Sequence, residues 1–535
     1  MSKARPKASD TDQHARKIAS AIAKGLPPPL TPGFDRYLEQ SPTEIFAAFE
    51  GAARHMPPAG NDEALAFGYL FLLQAVLERV RYRIDSGSAA AADMIAAFQA
   101  DVAARADAGE IDGPLFAYVG GALHQAKIPA SPELVAATAK PDGTNAEDLP
   151  EDVGVALSAL LGAFGSDPFE LVNALAQFGH AMPEEGRCAL ACSLALGDDS
   201  DGRAAAIMFL LDSSAAVRRA AAGALADVAA RLSPVDVRRL IAIRNWRAES
   251  ERPELDTIIR KARTAGIACA RWEAGSVETI LATAIDGAGT QALLLISPAS
   301  RKKKRISSIL TKDGITDAWN GEPETARQIE AAMAAAGMDL PTLSVSRPYL
   351  DRVLSHALAL TTGRGEVPPL ELLKVAEMIG GADWQPAQMD FREALSGLMA
   401  ELPAAMRDAA SVAAVLRDSD KRVGFDTLRH GWFEDDPQVA KVVGSGYGRG
   451  RAKLATYLLQ SLIARRRDKW ADRFLRTALW MREAPAEAAA ELGWGELTLI
   501  AEAISNGRDL TEIGLMHDIA KRTIAVLSGE VRAGT

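Results

Sequence analysis

Apolar residues recur along most of the chain at the three- and four-residue spacing of amphipathic helices. After Asp167 the positions Leu171, Val172, Leu175 and Phe178 keep this rhythm, and Val217, Ala221, Leu225 and Val228 repeat it further on. The stretch from Ser233 continues it with Val237, Leu240, Ile241 and Trp246, and the one opened by Pro253 with Leu255, Ile258 and Ile259. Helices this short cannot bury an apolar face alone, so the pattern predicts stacked helical hairpins joined by short loops. Several starts carry one signature. Ser41-Pro42-Thr43-Glu44, Ser131-Pro132-Glu133, Asp167-Pro168-Phe169-Glu170 and Ser233-Pro234-Val235-Asp236 each set a capping side chain before a proline and an acid in the first turn.

The rhythm breaks near Gly275. Val277 to Ile285 and Gln291 to Ser297 are short apolar runs separated by Asp286-Gly287-Ala288-Gly289, and Arg305 to Thr311 runs into a turn at Lys312-Asp313-Gly314. These predict a β-meander, with the continuously apolar Ala292 to Ile296 as a central strand covered on both faces. A helix over Glu322 to Ala336 is expected to cover one face of this sheet. Helical spacing resumes at Arg347, interrupted at Thr361 to Pro369, Trp384 to Pro386, Phe433 to Pro437 and Gly444 to Gly450. The fold expected is mainly α, an irregular α-solenoid of stacked helical hairpins with a small α+β insert. Its parts are a mobile leader over 1–30 with a short helix near His14 to Lys24, and an N-terminal helical region over 31–140. Helical repeats over 153–272, the insert over 275–340 and a C-terminal helical region over 346–535 follow, with Ala139 to Asp152 as the linker.

Asp212 to Leu225 reads DSSAAVRRAAAGAL. An aspartate in the inter-helix turn, Val217-Arg218 at the start of the next helix, and small residues with Leu225 at core spacing follow. This resembles the second helix of a HEAT repeat, and the resemblance extends over Gly202 to Ala265. It implies a HEAT-like helical-repeat surface of the kind that docks a protein partner.

Composition narrows the picture. Aromatics are only 6% and alanine recurs in runs such as Ala334 to Ala336, which suits closely packed helices and disfavours an all-β fold. Three cysteines (Cys188, Cys192, Cys269) in 535 residues cannot staple a secreted fold, so a reducing, cytoplasmic setting is expected. The first thirty residues lack the apolar core of a secretion signal, and the longest apolar run, Ala64 to Leu73, is far short of the roughly 20 residues of a membrane span.

Net charge is −10, which argues against non-specific nucleic-acid binding by the chain as a whole, but the charge is unevenly spread. Residues 141–202 hold twelve acids and one arginine, whereas 203–271 hold thirteen Lys or Arg and seven acids. Such adjacent surfaces suit partner docking, or they are the solvated outer faces of stacked helices. Two basic sets are candidate interaction residues, for a protein partner or for nucleic acid. Arg218, Arg219, Arg238, Arg239, Arg244 and Arg247 are placed to line a helical surface, and Arg301, Lys302, Lys303, Lys304 and Arg305 form a predicted hairpin tip.

Other constellations have plain readings. Trp470, Phe474, Thr477 and Met481 share one helical face beside an arginine-rich run, which predicts core residues with a basic rim. Gly444 to Gly450 precedes a helix over Ala452 to Ile463 whose N-terminal amides suit a phosphate, but a Walker lysine and the dinucleotide glycine spacing are missing, so it reads as a loop. His517-Asp518 is similar to the central dyad of HD-type metal phosphohydrolases, whose chemistry needs further ligands; His430 is the one candidate. Cys188 and Cys192, four apart, read as small core residues. No catalytic, cofactor-binding or metal-ligating residue is assigned, and no cofactor. The function expected is a non-enzymatic scaffold or adaptor for a protein partner. A nucleic-acid-binding protein is the alternative, and an enzyme with a site near Gly444 to Gly450 is the second alternative.

Overall fold

Capping side chains set several helix starts. Ser233 Oγ accepts the N–H of Asp236 at 3.2 Å while the Asp236 carboxylate accepts the N–H of Ser233 at 2.8 Å, a reciprocal box that satisfies two otherwise orphaned donors. Asp167 Oδ1 accepts from the N–H of Phe169 at 2.9 Å, and Ser131 Oγ from that of Leu134 at 3.2 Å. The computed structural model describes residues 10–22, 37–38, 44–56, 62–85, 89–111, 113–126, 128–138, 167–172, 184–272, 277–335, 341–380, 384–429, 431–434, 436–445 and 450–528. Ser41 to Thr43 and the expected linker over Ala139 to Asp152 lie outside the described residues. The chain divides into two units, Met1–Ala205 and Ala206–Thr535.

The first unit contains α1 (Asp10–Ile22), α2 (Glu44–His55), α3 (Glu63–Asp85), α4 (Ala89–Asp107), α5 (Gly113–Gln125), α6 (Pro132–Thr138) and α7 (Glu184–Leu196); α8 (Ser200–Met208) runs across the boundary. The expected mobile leader is corrected over its described part. Helix α1 buries Ala15, Ile18 and Ala19 in the same core as Ile45, Phe49, Leu73 and Phe98, because its apolar residues fall on one face. Gly68 makes the close crossing possible, since a Cβ there would sit 2.3 Å from the carbonyl oxygen of Ala15. Phe98 meets the rings of Phe46 and Phe49 edge-on, each at 5.7 Å between centroids.

The second unit opens with α9 (Ala215–Asp227), α10 (Pro234–Asn245) and α11 (Arg252–Thr264), with α11 packed against both predecessors. Five antiparallel strands follow: β1 (Thr279–Thr283), β2 (Gln291–Ser300), β3 (Lys303–Thr311), β4 (Ile315–Asn320) and, after α12 (Ala326–Ala335), β5 (Thr342–Ser344). Their order is β4-β3-β2-β1-β5. The first four strands form the predicted meander. The closing strand β5 lies beyond residue 340, the expected end of the insert, because three residues after a helix leave too short a run for periodicity to show.

The central position of β2 agrees with expectation, but its cover differs. Leu293, Leu295 and Ser297 are buried on one face, whereas Ala292, Leu294 and Ile296 on the other are only half-buried. Among the described residues, eight helices of two turns or more follow. They are α13 (Arg347–Gly363), α14 (Leu370–Met378), α15 (Phe391–Glu401), α16 (Ala409–Asp418), α17 (Pro437–Gly444), α19 (Arg467–Met481), α21 (Trp494–Ser505) and α22 (Gly514–Leu527). The seven-residue α18 (Arg451–Tyr457) and α20 (Ala486–Leu492) lie among them. Helix α18 continues through a π-helical turn at Leu458–Leu462 and a 3-10 turn at Ile463–Arg466 into α19.

The sheet is joined to these helices by buried indoles. Trp480 Nε1 donates to the carbonyl of Ala282 and Trp432 Nε1 to that of Ile285, both at 2.9 Å. Gly287 donates its N–H to Gly431 at 2.8 Å, and a Cβ at Gly287 would sit 2.5 Å from the backbone of Phe433. The sheet insert is thus packed on its neighbours: the helices supply the core of its buried face. Trp470, Phe474, Thr477 and Met481 are fully buried, as their shared face predicts.

Candidate functional site

One face of α13 carries Tyr349, Arg352, Val353, His356, Ala357 and Leu360 at successive helical turns, and it borders a cleft in the second unit. The opposite walls come from Gln291 at the start of β2, Thr311 at the end of β3, the turn Lys312 to Gly314, Met389, and Arg476 and Leu479 of α19. The cleft encloses only about 30 Å³ of free space, enough for a water molecule or two. Its corner is fixed by the turn, where Asp313 has φ +49° and Gly314 φ +142°. Arg364 donates to the Asp313 carbonyl, and Ile315 donates its N–H to Thr361 Oγ1 at 2.9 Å.

Polar groups in the cleft are held in defined states. Gln291 Nε2 donates to the carbonyl of Thr283 and to the Tyr349 hydroxyl, both at 2.9 Å. Burial pushes the Tyr349 phenol well above its ordinary range, so it stays protonated. His356 accepts the N–H of Met389 at Nδ1, 3.1 Å, which puts the proton of the neutral ring on Nε2. Burial first, and then the nearby Arg476 cation, hold its pKa below the usual value, with Asp472 opposing. Arg476 pairs with Asp472 at 2.8 Å. Arg352 is exposed at the rim and makes no ion pair among the described residues.

The six arginines of 218–247 do not form the surface expected of them. Arg218 is buried, donating to the carbonyls of Asp212 and Ser213, each at 2.8 Å, and to Glu251 at 2.7 Å. Arg247 is buried against Glu251 and the Leu210 carbonyl. Burial lowers its pKa to about 9. Arg239 is a buried partner of Glu377 on α14, and Arg244 makes a two-pronged pair with Asp256. Arg238 lies 4.6 Å from the ring centre of Trp272, and Arg219 is exposed. Guanidinium groups bridge carbonyls and carboxylates between turns here, so the local excess of positive charge largely serves packing.

The five cations of 301–305 are at a hairpin tip, as predicted. Arg301 and Lys302 form its two-residue turn, and with Lys303 they are exposed and without an ion pair among the described residues. Lys304 instead pairs with Glu278, and Arg305 Nη1 lies 3.6 Å from Met378 Sδ. Gly446 to Arg449 and His430 lie outside the described residues; Val442 and Val443, just before them, belong to α17. His517 Nε2 meets the Thr511 carbonyl at 2.9 Å and Asp518 pairs with Arg429 at 2.8 Å, so both members of that dyad have structural partners. Among the described residues no group of three or more His, Cys, Asp or Glu is placed to hold a metal. The cleft was missed in sequence because its polar residues alternate with core residues along α13, and the signal that marks them, Tyr349-Arg352-His356 at helical spacing, is ordinary on its own.

Residues 183–266 match the family model of the Y4lR second domain, and residues 392–528 that of the Y4lR C-terminal helical domain. The first segment covers α7 to α11 and the second runs from α15 into α22. The sheet and α13 fall between them. The chain is 24% identical over 417 residues to the uncharacterized protein y4lR of Sinorhizobium fredii, covering 76% of this chain and 78% of that one. No solved structure matches.

Proposed function

We propose that the chain is a non-enzymatic helical scaffold that docks an acidic protein surface at the tip of the β2–β3 hairpin. The observation that carries this reading is the state of Arg301, Lys302 and Lys303, three adjacent exposed cations presented on a sheet that the indoles hold rigidly. Unpaired charges on a rigid tip steer encounter and fix orientation without an ordering cost at the sheet itself. Gly202 to Ala265 is read as HEAT-like stacking, supported by the Asp212 turn and by α11 packing against α9 and α10. Among the described residues no helix is long and apolar enough to cross a membrane. The cytoplasm is the proposed location, supported by three free cysteines.

The test is co-purification from the native cell at low salt, with wild-type protein and with Arg301→Glu, Lys302→Glu and Lys303→Glu combined. Wild type is expected to retain a partner that the triple variant loses. Identical retention by both, or turnover of small-molecule substrates by the purified protein alone, would reject the scaffold. Nucleic acid is the second reading, and it rests on the same three cations. A mobility shift at low salt whose affinity falls with a log–log salt slope of about −3 on duplex DNA is its signature.

A further inference from the structure

The cationic tip of the β2–β3 hairpin stands at the end of a sheet face that carries an uncovered indole. Trp319 on the end strand β4 is opposite Ser308, which is opposite Leu294 in turn, so the three side chains share one face. Trp319 is 55% exposed, although α12 packs against the neighbouring β3. Its ring reaches over Gly321, where a Cβ would come 2.6 Å from ring carbon Cη2. The N–H of Gly321 donates to the carbonyl of Ile306 at 2.8 Å, so the indole extends along the sheet toward the tip. Half-buried Ile306 and Ile296 and exposed Pro298 continue the face to Arg301, Lys302 and Lys303. From Ile306 to Lys303 the strand covers about 10 Å. Glu322, exposed just after Gly321, ends the cationic stretch at the indole. A nucleic acid, with a phosphate at every residue, would meet that carboxylate, and its bases stack best on successive aromatics rather than on one. An acidic peptide with a single bulky apolar residue meets neither obstacle, and an indole is well suited to anchor such a residue.

We propose that an acidic peptide segment docks along this face, with its carboxylates on Arg301, Lys302 and Lys303 and one bulky apolar side chain against Trp319, about 10 Å away. This deepens the scaffold reading and rests on it. Fluorescence anisotropy with the full chain at low, constant ionic strength tests it. The probes are a labelled peptide with a run of glutamates followed after a short spacer by one phenylalanine, the same peptide with alanine in its place, and oligothymidylate of similar length. The phenylalanine peptide is expected to bind about tenfold more tightly than the alanine peptide. Trp319→Ala should remove that advantage and leave the affinity of the alanine peptide unchanged, whereas Trp319→Phe should keep most of it. Arg301→Glu, Lys302→Glu and Lys303→Glu combined should weaken both peptides about tenfold or more. Equal affinity of the wild type for both peptides, or a phenylalanine advantage that persists in Trp319→Ala, overturns the indole anchor and leaves the tip reading in place. Absence of saturable binding by the phenylalanine peptide overturns the docking face, while a native partner lost by the triple variant would still uphold the tip. Peptide binding indifferent to the triple variant overturns the tip reading itself. Oligothymidylate binding more tightly than either peptide overturns the acidic peptide in favour of nucleic acid.

Discussion

Five buried indoles in the second unit each commit their one N–H to a fixed acceptor. Trp246 donates to the Trp384 carbonyl, Trp384 to Asp351, Trp432 to the Ile285 carbonyl, Trp470 to Glu434 and Trp480 to the Ala282 carbonyl. A buried acceptor stripped of its donor costs about 1–3 kcal/mol, and the smaller ring leaves a void besides. Trp480→Phe is therefore expected to lower the unfolding free energy by about 3 kcal/mol in urea titrations. Trp319→Ala, at an exposed position, should stay within about 0.5 kcal/mol. His356 gives a pH signature at the same scale. Its folded pKa lies below the ordinary 6.5 through burial and then Arg476. As pH falls through 6.5 the unfolded chain takes up a proton that the folded state resists, so this contribution is present above that pH and lost below it. Between about pH 7.5 and 5.5 the wild type should lose more stability than His356→Gln, read as the shift in urea midpoint.

At the scale of elements, α10 and α14 are tied by Arg239 and Glu377, a pair largely removed from water. Glu377→Ala removes both hydrogen bonds that its carboxylate accepts from the buried Arg239 guanidinium and should cost about 3 kcal/mol. Asp256→Ala, which breaks the exposed pair with Arg244, should cost less than about 1 kcal/mol. The difference between these two variants, measured by thermal unfolding, separates a tie between helices from a surface contact.

Which features were legible in sequence follows from how local their causes are. The Ser233 cap, the meander and the Trp470 to Met481 face are set by spacing within one element, and each is where the sequence predicts. Arg218, Arg239 and Arg247 have near partners too, but each also bonds a distant one, Glu251, Glu377 and Leu210 at 33, 138 and 37 residues, and no short window contains those pairs. A run of arginines therefore reads as a surface when it is a set of struts. The cleft was hidden for the same reason, since Gln291, His356 and Arg476 meet only after the sheet has docked.

For the whole molecule, the two units differ in what a deletion should do. Residues 198–535 contain α8 to α22 with the sheet and its helical cover, and expressed alone they are expected to unfold in one cooperative transition. Removing residues 275–345 from that fragment should abolish the transition, because Trp432 and Trp480 lose their acceptors and their apolar contacts together. Circular dichroism melting checks both outcomes, and a fragment lacking the sheet that still melts cooperatively would show that the helices fold without it.

The span of 198 residues between Ala282 and Trp480 has a further consequence during synthesis. Strands β1 to β4 leave the ribosome with their inner face uncovered, and the indole that closes it is added about 10–40 s later at ordinary elongation rates. For that interval the nascent chain displays Leu293, Leu295 and Ile309, all buried in the finished protein, to its surroundings. Chaperone demand and aggregation during expression should therefore concentrate on chains stalled or truncated between the end of β4 and the start of α19.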